Sequence, residues 1–533
     1  MRKIKDKFHL SSWRELPSWL KFLIIITLVL GILFRLVNLD KKIYWYDETI
    51  TSMRVSGYAY EINDKLFTGN IINLDALMKY QRIGSEKSFI DTIKSVATVP
   101  EHPPFYYLIA RFWSQLFGTS ITAMRSLTAL ISLLIFPSIY WLSWELFQKA
   151  SVGWITIALV AVSPLHILYA QEAREYSLWT VTVILSSAAF LHALRLETRP
   201  SWRIYVVSMI LGFYTHSFSV LLAIGQGIYL VFREGLRWSK TWKNYILSSL
   251  GIMILWLPWF FVFLMKLPGH RQRLAWSETN LSKPALIQKL FLNSSRGFID
   301  FSRSVTPSFI IYIASVLVFI LVSYSIYIII KENQSNPNKI WLFLLLLTLV
   351  IPLTLFIPDF IFGGIRSTAN RYFIPSYIDL HLAVAYLINS QITMANTRQR
   401  TLGKMLIAIL LSCGVLSSAM SFSADCWWNK SFSCGNISVA NIVNLAPRPL
   451  IISNSSLTNM NQILSLSYRL KPEVKFLLIN RPNQLKIPQG FSDLFLYNPS
   501  DELRAEIDRA CPLKIQSVYQ GKFLKLEKLV PPK

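Results

Sequence analysis

The chain has 533 residues, 53% of them hydrophobic and only 16% charged, and a formal net charge of +25. Soluble domains carry about 25% charged residues, so this composition excludes an ordinary soluble protein and reads as a polytopic membrane protein. The basic excess suits loops that face anionic lipid, and because the Lys and Arg residues lie between apolar runs, with no continuous basic patch, nucleic acid is set aside as a partner.

The first apolar run, about residues 19–39, follows Arg2, Lys3, Lys5, Lys7 and Arg14. It ends at Phe34-Arg35-Leu36 without a small-residue cleavage site, so it reads as an uncleaved anchor with its N-terminus in the cytoplasm. Just beyond it stands Tyr44-Trp45-Tyr46-Asp47-Glu48-Thr49, two adjacent carboxylates among three aromatics. This stretch is either a catalytic base or a solvated start of a loop. The following outer loop, about 40–122, also holds Glu101-His102-Pro103-Pro104. Its apolar segment 104–118 is short and interrupted by Arg111 and Gln115, which predicts an interfacial helix on the outer face.

A span needs about 20 apolar residues. Eleven candidates follow from that rule: roughly 19–39, 123–147, 151–170, 176–194, 203–216, 217–232, 245–265, 307–330, 340–358, 372–389 and 403–420. Within 203–232 the polar group Tyr214-Thr215-His216-Ser217 is the turn between two short spans or a break in one kinked span. Basic loops at Lys149, Arg195–Arg203, Arg233–Lys243, Lys331–Lys339 and Arg398–Lys404 all fall on the cytoplasmic side if 104–118 does not cross. One segment breaks the rule: 266–306 is outside by parity yet carries Lys266, Arg271, Arg273, Lys283, Lys289, Arg296 and Arg303. Snorkelling side chains explain it; so does an anion site for a phosphate.

After residue 420 no span-length apolar run remains. Short runs at Pro449–Ile452, Val474–Ile479, Asp493–Tyr497, Ile515–Tyr519 and Phe523–Leu526 predict strands, and Leu457–Leu470 and Ser500–Ala510 predict helices. The chain thus divides into a membrane domain, 1–420, and a small C-terminal α/β extracytoplasmic domain, 421–533. Cys426 and Cys434 are a plausible bridge in an oxidising compartment, with Cys511 a competing partner.

Ionisable groups beside a membrane cavity are costly and so are candidates for function. On this topology five polar clusters share the outer face: Asp47-Glu48; Glu101-His102; Glu172, Arg174 and Tyr176; His216; and Arg366 with Arg371-Tyr372. Each alone has a bland reading as a loop boundary, a cap or an interfacial anchor. Together they supply a carboxylate base, histidines, tyrosines and arginines. That set suits a sugar held on a polyprenyl phosphate. An acceptor hydroxyl needs a base, and the departing phosphate needs cations, which Arg supplies bidentately. No Asp-x-Asp metal motif occurs.

The ordered combination of the first-loop Asp47-Glu48, His102-Pro103-Pro104-Phe105-Tyr106-Tyr107, Gln171-Glu172-Ala173-Arg174-Glu175-Tyr176, Tyr214-Thr215-His216 and Arg371-Tyr372-Phe373 with Pro375 resembles the bacterial glycosyltransferase family 39. Its members are related to protein O-mannosyltransferases and the lipid A aminoarabinose transferase. The resemblance covers about 19–390. It implies the GT-C membrane fold, which with the eleven candidate spans gives an expected polytopic helical protein of the bacterial inner membrane. It implies Asp47 as catalytic carboxylate with Glu48 beside it. It puts His102 near the donor, and Arg174 and Arg371 on the lipid phosphate with Tyr176 and Tyr372 nearby. Whether a divalent metal takes part is left open, and the absence of a MIR-type insertion speaks against a eukaryotic-style protein mannosyltransferase. The expectation is an inverting transferase using a polyprenyl-phosphate-linked sugar, with a lipid, glycan or protein acceptor. The alternatives are a transporter or flippase of lipid-linked sugars, and an outer-leaflet polysaccharide ligase or polymerase.

Overall fold

The structure is a computed structural model that describes residues 11–59, 61–269, 277–301, 309–480, 487–510 and 512–531. Seven of its helices are long and apolar enough to cross a membrane: Ser18–Leu36, Ile121–Phe147, Tyr176–Leu196, Lys240–Met265, Phe309–Glu332, Ile340–Phe362 and Thr397–Phe422. The pair Ala150–Ala161 and Pro164–Ala170, bent by 62°, meets the same test when taken together as one broken span, which would make eight. The remaining three expected spans are helices too, Arg199–Phe213, Ser219–Glu234 and Ile374–Thr393, but do not meet the same length and apolarity. The two short ones flank a turn at residues 214–218, as the polar group there predicts. Tyr176–Leu196 is the axis of the bundle, 83% buried over its most apolar stretch, whereas Lys240–Met265 is 22% buried and lines the rim.

The bent span shows why backbone can break inside a membrane protein. Pro164 has no N–H and cannot continue the ladder to Val160. The freed carbonyls of Val160 and Ala161 instead accept from the buried Arg35 guanidinium, at 3.0 and 2.5 Å. Ser418 Oγ donates to the Val162 carbonyl at 3.3 Å. Irregular backbone at this depth is tolerated because protein groups satisfy it.

Phe105–Phe117 is a 13-residue helix, too short to cross. It buries Tyr106, Tyr107, Ala110, Arg111 and Ser114 and leaves Phe112, Leu116 and Phe117 exposed, the division an interfacial helix needs.

Five strands beyond Phe422 and one from before it form a six-stranded sheet, with β1 Thr68–Asn73, β2 Pro449–Asn454, β3 Lys475–Ile479, β4 Asp493–Tyr497, β5 Lys514–Gln520 and β6 Lys525–Val530 in the order β1-β3-β2-β4-β6-β5. The β3-β2-β4 centre is parallel; β1, β6 and β5 are added antiparallel. Strand alternation sorts the core. Leu450, Ile452, Leu477, Ile479 and Leu496 pack on the Leu503 and Ile507 helix, while Ile451, Phe476, Leu478, Phe495 and Tyr497 face Met460, Ile463 and Leu464. Ser500 caps the Asp501–Ala510 helix by accepting the Leu503 N–H at 3.2 Å. Edge strand β1 comes from the long segment between the first two apolar helices, and Met53, Ile62, Phe67 and Leu77 of that segment join the same core. Cys426 and Cys434 form a disulfide with Cα atoms 5.8 Å apart; Cys511 lies outside the described residues.

Candidate active site

The helix Tyr46–Val55 begins with two carboxylates in its first turn, where the free backbone N–H groups favour negative charge. Glu48 reaches back to accept the Trp45 N–H at 3.3 Å, the reciprocal half of a capping box. Its other partners close around it. Arg125 donates bidentately, Nε to Oε1 at 2.7 Å and Nη2 to Oε2 at 2.6 Å. Lys430 Nζ donates to Oε2 at 2.6 Å, and the Ala173 N–H to Oε1 at 2.9 Å. Glu48 and Lys430 are 0% exposed. Burial pushes the Glu48 carboxyl up, but Arg125 and Lys430 outweigh it and hold it ionised, well below the usual range. Arg125 spends its other donors on the carbonyls of Leu39, Lys42 and Ile43, at 2.6–2.9 Å, and so ties the end of the first apolar helix to the helix Tyr46–Val55.

Asp47, one residue earlier, points elsewhere. Its side chain is 18% exposed, and Oδ2 stands 3.3 Å from Arg371 Nη1. Arg371 in turn lies over the Tyr372 ring at 5.3 Å. Behind this pair Arg174 donates to Glu175 Oε1 at 3.2 Å and to Thr51 Oγ1 at 3.3 Å, and lies over the Tyr176 ring at 5.7 Å. His102 Nδ1 meets the same Glu175 oxygen at 2.7 Å. Burial pushes Glu175 up, yet Arg174 and His102 hold it far below the usual carboxylate range. Burial lowers the His102 pKa against the pull of Glu175.

His216 stacks on Trp179 with centroids 4.0 Å apart, and its ring is 6.2 Å from Tyr372. Burial drives its pKa down to about 3, so the ring is neutral and acts as a polar wall. Glu172 Oε2 accepts from Asn429 at 2.8 Å, while Oε1 is buried without a hydrogen-bond partner among the described residues. Burial pushes this carboxyl up to about 7, with Lys430 opposing and Glu48 and Asp47 adding to the rise. Glu101 enters through its carbonyl, which accepts from Ser217 at 2.8 Å, and this bond carries the first outer loop to the His216 turn. Arg366 is directed to Asp359 at 4.0 Å and Ser277 at 3.2 Å, a brace beside the Asp47–Arg371 pair and not a member of it.

Asp47, Glu48, His102, Glu172, Arg174, Tyr176, His216, Arg371 and Tyr372 thus gather from distant parts of the chain around one centre. Sequence reasoning missed Arg125 and Lys430. Arg125 did carry a signal, a lone charge inside an apolar run; Lys430 carried none. In the basic segment 266–306, Arg271, Arg273 and Arg303 lie outside the described residues, and Arg296 is stacked on the Trp428 ring at 3.6 Å. Among the described residues no three His, Cys, Asp or Glu side chains converge to hold a metal ion.

Residues 101–261 match the family model of dolichyl-phosphate-mannose-protein mannosyltransferases. Over that stretch, which lies within the helical part of the chain, the protein is similar to this family of membrane mannosyltransferases. Among solved structures, the chain resembles ArnT from Cupriavidus metallidurans bound to undecaprenyl phosphate, at 11% identity and TM-score 0.53, over 97% of this chain and 99% of that one. It also resembles the Archaeoglobus fulgidus oligosaccharyltransferase tethered to an acceptor peptide, at 12% identity and TM-score 0.50, over 86% and 64%. At such identities the likeness is one of fold. No curated protein sequence matches the chain.

Proposed function

We propose that the protein transfers a sugar from a polyprenyl-phosphate donor to an acceptor hydroxyl at the outer face of a bacterial inner membrane, with inversion. The observation that carries this reading is the Asp47–Arg371 pair, a reachable carboxylate 3.3 Å from a guanidinium in an otherwise buried cluster. Asp47 takes the acceptor proton, and the acceptor oxygen attacks the anomeric carbon from the side opposite the phosphate. Arg371 and Arg174 hold the departing phosphate as it gains charge. A single displacement needs one base, which leaves Glu48 to organise the turn that presents Asp47. The undecaprenyl phosphate bound by the ArnT relative supports a lipid-linked donor for this chain.

In this reading the N-terminus is cytoplasmic and the sheet of β1–β6 is extracytoplasmic. Lipid, glycan and protein acceptors all fit the cluster's chemistry. A purified Asp47→Asn protein should lose about 10²–10⁴-fold in turnover while still binding undecaprenyl phosphate. Transfer near the wild-type rate would refute Asp47 as the base.

A further inference from the structure

We infer that Lys430, carried by the disulfide-closed loop of the outer domain, is a positioning residue for Asp47, so that the outer domain completes the catalytic centre. The inference rests on the transferase reading above.

The loop between Cys426 and Cys434 touches the residues that flank Asp47 on both sides. Just before it, the Asp425 carbonyl accepts the Ile43 N–H at 2.9 Å. Lys430 lies 5.9 Å from the Trp45 ring centroid, and Phe432 packs edge-on to Tyr46 at 5.2 Å. Ser433 Oγ accepts the Tyr46 N–H at 3.1 Å. Asn429 donates to Glu172 at 2.8 Å. At the centre, Lys430 Nζ reaches Glu48 Oε2 at 2.6 Å, fully buried. The membrane bundle supplies the opposing cation, Arg125, to the same carboxylate.

Glu48 is therefore clamped between one cation from each half of the molecule. It sits beside Asp47 in the same helical turn. Holding it fixes how that turn is rotated, and hence where the Asp47 carboxylate points. Displacing a reacting group by about 1 Å costs on the order of 10²-fold in rate. The Cys426–Cys434 bridge closes the loop that delivers the lysine and, with the short turn Trp428–Lys430, restricts it. A buried ammonium is costly without its counter-charge. Lys430 and Glu48 therefore keep each other in place.

The test compares full-length Lys430→Met, Lys430→Arg and Cys434→Ser with wild type in lipid nanodiscs, using a polyprenyl-phosphate sugar as donor and undecaprenyl phosphate as binding probe. Lys430→Met should lower kcat about 10-fold or more, with donor KM and probe binding within about twofold. Lys430→Arg should restore most of kcat, and Cys434→Ser should follow Lys430→Met. Backbone hydrogen exchange over residues 44–51 should quicken in Lys430→Met. Should that variant fail to accumulate, Lys430→Gln carries the same comparison. An unchanged kcat would overturn the proposal. So would a joint fall of kcat, probe binding and melting temperature that Arg does not rescue, because that pattern marks a purely structural tie. A wild-type protein that moves no sugar from any such donor would remove the transferase reading. Unchanged exchange over 44–51 would remove the clamp itself, so the two failures are distinguishable.

Discussion

Adjacent carboxylates in one helical turn point about 100° apart, and this separation gives Asp47 and Glu48 different fates. Glu48 turns into the protein and meets Arg125 and Lys430; Asp47 turns toward Arg371 and the accessible side. Glu172 differs from both, since its buried Oε1 has no hydrogen-bond partner among the described residues. Its pKa rises from 4.5 to about 7, through burial first. The stability linked to that proton is fully present below pH 4.5 and is lost as pH rises through about 7. Glu172→Gln keeps an acceptor for Asn429 and removes the titration. Its melting temperature relative to wild type should therefore rise more at pH 8 than at pH 5, as a thermal melt at both values would read. An equal shift at both would contradict the assignment.

At the scale of elements, the bent span positions the Gln171–Glu175 segment. Arg35 and Ser418 satisfy the carbonyls at the break, and glycines allow neighbouring helices to come close. A Cβ on Gly31 would collide with the Ala161 carbonyl, and one on Gly414 with the Val162 carbonyl. Gly31→Leu should thus cost at least about 1–3 kcal/mol by overpacking, read as a lower melting temperature in detergent. Gly251→Leu is the control, because a Cβ there meets nothing and Leu is the better helix former at both sites; equal losses would show that the close approach is not responsible. The Arg35–carbonyl bonds were not legible in the sequence, where Arg35 reads only as the end of an apolar run. Its partners lie 125 and 126 residues away.

For the whole molecule, the six-stranded sheet does more than lie beside the bundle. β1 and the residues around it come from the first outer loop and share one core with the C-terminal strands. The Ser465 hydroxyl donates to the Tyr44 carbonyl at 2.6 Å, and Thr49 Oγ1 to the Asn461 carbonyl at 3.4 Å. Ending the chain after Phe422 removes these ties and Lys430 together. Such a truncation should still insert in membranes but lose at least about 10²-fold in transfer, measured on membranes with matched protein levels. Retained turnover would mean that the C-terminal part only covers the cavity.

Apolar runs of span length, basic loops and the short alternating runs after residue 420 determined the class of fold, because hydrophobic length and period act locally. The same local logic placed Asp47, His102, Arg174 and Arg371 as candidates, since charges and prolines at span ends are visible one segment at a time. Pairing is not local. That Glu48 is held by Arg125, 77 residues on, and by Lys430, 382 residues on, depends on how the bundle and the sheet close over one helical turn. That β1 belongs to the outer sheet depends on an edge left open by β3. Which of two neighbouring carboxylates is reachable was decided by burial and counter-charge, and these exist only once the tertiary structure has formed.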